Sequence, residues 1–319
     1  MKIIFLSRRF YPDVGGVEKH VMELSKELIK KGHDITVVTE SKGKFRNLDK
    51  ISIVRLPKYP ENWFKKFYIW KWMINHKNLF DEKDIVHAHD VYYWYFPLKI
   101  LNPFKKSYVT FHGYETKFPP SKKAIFIRKI SEKVSSGNIC VGNYIKKWYG
   151  TNSDFVIEGA VNLGSKVNSD IKNKLVVFIG RLSKDMGISV YLKAYKKLKE
   201  MYPDFGIDFI KRGQDVDKLI AKSRFVFASG YLSIYEGLAS GKIVFAVFDN
   251  SLKEDYLKDS QVSKYIIICG SEGELVSKVA FYIKNQDKEK EMIERSSRWI
   301  KTQTWDKIAD KYLKLWETS

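Results

Sequence analysis

Cysteine is nearly absent: two in 319 residues, Cys140 and Cys269, with no Cys-x-x-Cys pair. That excludes a disulfide framework and a cysteine-based zinc ribbon, and makes a reducing, cytoplasmic setting the expectation. Long apolar runs are missing too. Runs such as 91–98 and 265–269 fall far short of the ~18 residues a membrane-spanning helix needs. The apolar stretch at 3–6 is shorter than the ~7-residue core of a signal peptide and reads as a first strand. Acidic residues are scarce: 37 Asp and Glu face 57 Lys and Arg, for a net charge of +20 and a pI of about 9.6. Such a field draws in the phosphates of nucleotides, nucleic acids or anionic lipid head groups. Residues 1–160 hold 29 basic against 16 acidic side chains, so the N-terminal half carries more of the excess. No internal repeat or low-complexity tract occurs. What is present is core material, 44% hydrophobic and 15% aromatic, and at ~150 residues per domain the length fits two domains.

The first half alternates β-branched apolar runs with helix-period segments: strands at 2–6, 34–39, 85–88 and 107–111, and a helix at 17–31. In that helix Val17, Val21, Leu24, Leu28 and Ile29 share one face, and Lys30, Lys31 and Gly32 close its end. This is the rhythm of a parallel sheet with crossover helices. Residues 159–174 lose periodicity and read as an interdomain linker. A second series follows, with strands at 175–179, 206–210, 225–228, 242–247 and 265–268 and helices at 188–201 and 216–222. The expected fold is therefore α/β, two Rossmann-like doubly wound domains facing across a cleft, at 1–163 and 164–303. An amphipathic helix in 304–319, with Ile308, Tyr312 and Leu315 on its apolar face, packs back onto the first.

Three junctions carry chemistry. Gly15 and Gly16 stand between the first strand and first helix, where glycine admits a ligand to the backbone and a helix N-terminus favours an anion; a purely structural Gly-Gly turn is equally common. At 178–188, Phe-Ile-Gly-Arg-Leu-Ser-Lys-Asp-Met-Gly-Ile, Gly180 leads into Arg181, whose guanidinium can fork onto a diphosphate. At 227–244, Glu236 is expected to open a short helix ending at Gly241. A carboxylate there can grip both ribose hydroxyls, or merely complement the helix dipole.

With these junctions in view the sequence resembles the retaining GT-B glycosyltransferases, specifically glycosyltransferase family 4 (glycosyl transferases group 1). The resemblance rests on Phe-Tyr-Pro-Asp-Val-Gly-Gly-Val-Glu-Lys-His at 10–20, Lys-Lys-Gly-His-Asp-Ile-Thr-Val-Val-Thr at 30–39, Asp-Ile-Val-His-Ala-His at 84–89, Val-Thr-Phe-His-Gly at 109–113, Gly-Arg-Leu at 180–182 and Glu-Gly-Leu-Ala-Ser-Gly-Lys at 236–242. It implies a hexosyltransferase-type enzyme with no cofactor and no metal, moving a sugar from a nucleotide-diphosphate sugar to a glycan or lipid-linked acceptor. By that resemblance Gly15, Gly16, Gly180, Arg181, Lys184, Ser233, Tyr235 and Glu236 bind the donor. Arg181 meets its diphosphate, Glu236 its ribose, and His112 the reacting sugar; His112, Arg181 and Glu236 are the catalytic candidates. The chain departs from the family pattern where Ala228 replaces the first of two paired glutamates and Met186 the lysine five residues after the arginine. The second domain is also short after 209–213. These departures keep two alternatives open: a degenerate GT-B protein that binds nucleotide sugar or a partner without turnover, and a GT-B enzyme modifying nucleic acid.

Further constellations lie outside the resemblance. His87, His89 and His112 compose a conceivable three-histidine metal site, and Asp215-Val216-Asp217 spells a metal-binding Asp-x-Asp better explained as helix capping. Residues 63–77 interleave Trp63, Phe64, Phe67, Trp70 and Trp72 with Lys65, Lys66, Lys71 and Lys77, and 117–133 sets Lys117, Lys122, Lys123, Arg128, Lys129 and Lys133 around Phe118, Ile125 and Phe126. Both suit an anionic membrane surface, so peripheral association with the inner face of the membrane is expected; a core helix with a lysine-bearing outer face is the competing reading of the first. The same surface could stack nucleic acid, but no helix-turn-helix, RNP or zinc signature accompanies it.

Overall fold

The computed structural model describes residues 1–113, 118–162, 174–210 and 216–318. The chain divides into two compact units, Met1–Ile157 with Trp305–Ser319, and Glu158–Thr304. The junction falls at Glu158 rather than after 163 because the segment from Glu158 onward is already bonded within the second unit. The Glu158 carboxylate accepts from the Tyr235 hydroxyl at 3.1 Å and the Gln261 N–H at 2.7 Å, and Val161 N–H donates to Gln303 O at 3.0 Å. Most of the expected linker, 163–173, lies outside the described residues.

The first unit contains strands β1 (Lys2–Ser7), β2 (Asp34–Thr39), β3 (Asn47–Leu48), β4 (Ile51–Arg55), β5 (Ile85–His89), β6 (Ser107–Phe111), β7 (Gly137–Val141) and β8 (Phe155–Ile157). Their described order in the sheet is β3-β4-β2-β1-β5-β6-β7-β8, parallel except for β3 against β4. The helices are α1 (Gly16–Lys30), α2 (Lys65–Asn75), α3 (Lys77–Asp81), α4 (Phe96–Leu101), α5 (Lys122–Val134) and α6 (Tyr144–Tyr149). β1, β5 and β6 are the central strands. Buried on both faces, as parallel strands are, they read as near-continuous apolar runs, except that β5 carries His87 and His89 with almost no exposure.

In the second unit, β9 (Leu175–Phe178), β10 (Gly206–Phe209), β11 (Phe225–Phe227), β12 (Ile243–Val247) and β13 (Ile267–Cys269) form a parallel sheet in the order β10-β9-β11-β12-β13. Around it lie α7 (Ile188–Met201), α8 (Val216–Lys222), α9 (Tyr231–Ala239), α10 (Ser251–Lys258), α11 (Glu272–Lys284) and α12 (Gln286–Ile300). Phe178, Tyr191, Phe227 and Phe245 pack at the centre of its core. Arg224, just before β11, is buried with its guanidinium on the Glu289 carboxylate of α12 at 2.6 Å. The last helix, α13 (Trp305–Thr318), belongs to the first unit and packs on α1. Both cysteines are buried, which pushes their thiols up to about 12 and leaves them unreactive.

Two expected elements shift. The strand expected at 265–268 begins at Ile267, because Gln261–Tyr265 winds as a 3-10 turn. Glu236 does not open its helix. α9 starts at Tyr231 after an extended Gly230, so Glu236 lies past the first turn and dipole complementation does not explain it.

Candidate functional site

In the second unit the C-terminal ends of β9 and β11 lie side by side, with Phe178 opposite Phe227 and the Ile179 N–H on Phe227 O at 2.9 Å. Gly180 and Gly230 therefore leave the sheet next to each other. A side chain added at Gly230 would meet nothing within 4 Å, so the approach to the α9 N-terminus is open. Gly187, which starts α7, has φ +73, and a Cβ there would lie 2.3 Å from Val247 Cγ2; only glycine lets α7 come this close to β12. Arg181 is exposed, its guanidinium held by Asp185 at 2.7 Å. Lys184 stands beside it in a short 3-10 turn. Met186, the residue in the place of the expected lysine, packs against the apolar core instead.

Ser233 and Glu236 are half-buried on α9. Tyr235 requires a correction. Read from the sequence as a donor contact, it is buried, with its hydroxyl on Glu158 and its ring against Trp299 at 5.3 Å, so it ties the start of the second unit to α9 and faces no open space. Ala228 is also completely buried. Ser229, which the sequence reading passed over, clamps the strand ends: its hydroxyl bonds Tyr191 Oη at 2.9 Å and Val247 O and N at 3.1 Å each.

The first unit gathers four histidines. Trp316 Nε1, which can only donate, bonds His87 Nδ1 at 3.1 Å. A neutral His87 must then donate from Nε2 to Thr110 Oγ1 at 2.7 Å. Thr110 Oγ1 shares a hydrogen bond with Tyr312 Oη at 2.8 Å, and Tyr312 Oη lies 3.0 Å from His20 Nε2. His89 Nδ1 lies 2.8 Å from His112 Nε2, and the His20 ring meets the His112 ring edge-on at 4.7 Å. Burial holds His20, His87 and His89 well below their ordinary pKa, with His112 adding to the effect; burial and then the Arg128 charge do the same to His112.

His112 is fixed at its backbone, where its N–H donates to Asp90 Oδ1 at 2.9 Å. Asp90 holds a left-handed φ of 63 to reach it, a strained conformation for a non-glycine residue. Arg128 sits behind, its guanidinium over Tyr149 at 4.2 Å and bonded to the Gly113 carbonyl. It is buried, which corrects its place in the basic surface read from 117–133. Lys117 of that surface lies outside the described residues, as does Asp215 of the Asp-x-Asp; Asp217 lies in the first turn of α8.

The arrangement with metal-ligand potential is His20, His89 and His112, whose ligand nitrogens lie within 4.8 Å of one another. His20 takes the place the sequence reading gave to His87, because both His87 nitrogens are engaged by Trp316 and Thr110. At the other candidate loop, Gly15 caps α1 with extended backbone, and the Glu18 carboxylate folds over it. The loop is pinned from below: Ser41 Oγ accepts from the Phe10 N–H at 2.8 Å, and Arg55 reaches Ser41 O at 2.6 Å and Tyr11 O at 3.2 Å.

Comparisons with known proteins agree with this architecture. Residues 14–155 match the family model of Glycosyltransferase Family 4. No curated protein is a significant match to the sequence. Among solved structures, a glycosyltransferase from Rickettsia africae superposes with a TM-score of 0.73 at 18% identity, covering 99% of this chain and 97% of that one. Anabaena HepE, solved in complex with UDP and glucose, gives 0.74 at 15% identity with 100% of each chain covered. WaaG, a glycosyltransferase involved in lipopolysaccharide biosynthesis, gives 0.73 at 12% with 99% and 100% covered. The chain thus has the fold of these GT-B glycosyltransferases, and its first unit is similar to Glycosyltransferase Family 4 over residues 14–155.

Proposed function

We propose that the chain is a retaining, metal-independent glycosyltransferase that takes a sugar from a nucleotide-diphosphate sugar bound by the second unit and passes it to an acceptor held by the basic first unit. The observation that carries this reading is the paired strand ends: Arg181 after β9 beside an open Gly230 at the start of α9. A helix N-terminus and a guanidinium converging there can offset diphosphate charge as it develops on the leaving group. Retention by attack on the face of the departing group requires no protein nucleophile, so positioning and charge stabilisation supply the rate. His112 contacts the transferred sugar, Glu236 the ribose. The UDP and glucose of HepE make UDP-glucose the first donor to test.

Calorimetry with UDP, GDP and ADP tests the donor side. Arg181→Ala should weaken binding of the recognised nucleotide by about tenfold or more, and by more than Lys184→Ala, since only a guanidinium forks onto two phosphate oxygens. Glu236→Gln should also weaken it, because an amide cannot accept from both ribose hydroxyls. Unchanged affinity in both Arg181→Ala and Glu236→Gln would remove this strand edge from the donor site.

On the acceptor side, a lipid-linked substrate at an anionic membrane suits the surface of the first unit. α2 buries Ile69, Trp72 and Met73 in the core, while Trp63, Phe64, Phe67 and Tyr68 remain exposed, so the segment combines the two readings of its sequence. On neighbouring α4 and the loop after it, Ile100 and Phe104 are 79% and 94% exposed. Lys66 lies over the Trp63 and Phe67 rings, whereas Lys65 is spent on Glu40 and Glu61. Binding to phosphatidylglycerol vesicles should fall with rising salt, by roughly 1 kcal/mol per engaged cation that is screened. It should weaken about tenfold or more in Trp63→Ser/Phe104→Ser. Vesicle binding absent at low salt would leave a glycan acceptor in solution.

A non-transferring binder is the second reading, favoured by Ala228 in the place of an expected glutamate. Donor binding without transfer or hydrolysis would establish it.

A further inference from the structure

Lys253, on the first turn of α10, is 2% exposed. Its Nζ donates to Ser229 O, the carbonyl directly before Gly230, and lies 3.9 Å from the Tyr256 ring centroid. Tyr256 stacks on Tyr231 at 4.0 Å and accepts the Tyr231 N–H at 2.7 Å. An ammonium has three donors, and among the described residues Ser229 O is its one hydrogen-bond acceptor, so two donors remain. Three positive ends thus converge on one strand edge: the N-terminus of α9, the Arg181 guanidinium and the buried Lys253. Burying a cation is costly, and doing so beside a positive helix end adds repulsion. Asp185 and Asp249 face Lys253 with compensating charge, but Asp185 is already paired with Arg181. The two carboxylates balance the two side-chain cations, so the positive end of α9 is the charge left over.

We propose that Lys253 is a diphosphate-binding residue of the donor site, delivered from α10, and that the nucleotide sugar binds there with uptake of a proton. The inference rests on the donor-site reading of Arg181 and α9. Burial pushes the Lys253 ammonium down to about 7, with Arg181 acting in the same direction and Asp185 and Asp249 opposing it. Near neutral pH the site is therefore partly unprotonated before the donor arrives. A diphosphate diester alongside favours the charged amine and raises its pKa. Affinity should accordingly fall as pH rises above neutral, approaching tenfold per pH unit while one proton is coupled to binding. A nucleotide sugar is a suitable probe because its diphosphate does not itself titrate in this range.

The test is calorimetry of UDP-, GDP- and ADP-glucose on the full chain at slightly alkaline pH, in two buffers of different ionisation enthalpy. The expected result is uptake of a substantial fraction of a proton with the donor that binds. Lys253→Met should abolish that uptake and weaken binding about tenfold to a hundredfold. Lys242→Met is the control. Lys242 is also buried, but it precedes β12 at the opposite sheet edge and bonds Ala221 O and Ser223 O; uptake should persist without it. If Lys253→Met does not fold, the wild-type measurement still decides. A donor that binds with no proton uptake and pH-independent affinity overturns the role of Lys253 and leaves the donor site standing. Uptake that survives Lys253→Met assigns the proton elsewhere and also overturns it. Failure of all three sugars to bind overturns the donor-site reading itself.

Discussion

Between pH ~7.5 and ~5.5 the protein should lose stability, on the order of a few kcal/mol, because three imidazoles are buried in their neutral form. His20, His87 and His89 have native pKa values pushed down by burial, whereas in the unfolded chain each titrates near ~6.5. A group with a depressed native pKa stabilises above its unfolded pKa, and that contribution is lost as pH falls. The loss steepens as pH falls below ~6.5, where each unfolded histidine takes up a proton that the native one resists. His112, which is half-exposed, adds less. At His87 a hydrogen bond adds to burial in resisting the proton: Trp316, which can only donate, already donates to Nδ1. Protonating His87 Nδ1 sets two N–H donors face to face. Chemical denaturation followed by tryptophan fluorescence across this range checks the prediction, and His87→Asn should reduce the slope by about one proton. Stability that stays flat down to pH ~5.5 would mean that the histidines already carry charge in the native fold.

His112→Ala should slow sugar transfer by about a hundredfold while changing nucleotide affinity by less than about twofold. Three contacts fix the histidine: Asp90 on its backbone, His89 on its Nε2 and His20 against its ring. A side chain against the transferred sugar and away from the nucleotide contributes to turnover and little to binding of free nucleoside diphosphate. Asp90→Ala leaves the imidazole in place but frees its backbone, and should give a smaller loss of turnover with the same unchanged affinity. Equal losses in affinity and turnover for His112→Ala would place the residue against the nucleotide instead.

Much of the fold was legible from periodicity. Helix α7 runs Ile188–Met201 and α8 Val216–Lys222 at the expected bounds, because apolar spacing, terminal lysines and flanking glycine and proline agree locally. Glu236 was misplaced along its helix because Gly230, the actual cap, lies in a stretch of small and aromatic residues without a conventional capping side chain. Gly180 and Arg181 follow the end of β9 as expected, because a short strand-to-turn motif fixes position locally. The histidine chain was not legible, since it joins His20 to Tyr312 and His87 to Trp316, partners at opposite ends of the sequence that only the packing of α13 brings together. Arg128 and Lys253 were both missed. Arg128 falls in a stretch whose other basic residues suggest a surface, 251–258 carries no motif, and each residue is covered by an aromatic ring, Tyr149 over Arg128 and Tyr256 over Lys253. Tyr256, three residues from Lys253, is a weak signal without the fold to orient it, and Tyr149 is distant from Arg128 in the sequence.

Turnover under chelation tests the central claim most directly. The full chain is incubated with UDP-, GDP- and ADP-glucose, with and without a lipid-linked or glycan acceptor, in excess EDTA, and release of nucleoside diphosphate is followed. Arg181, Lys184 and the N–H groups at the start of α9 can offset the diphosphate charge without a metal ion, so one donor should turn over at the same rate with and without the chelator. Turnover that disappears in EDTA and returns with Mg²⁺ or Mn²⁺ would contradict the metal-independent mechanism, and a donor that binds but is neither transferred nor hydrolysed would contradict catalysis itself.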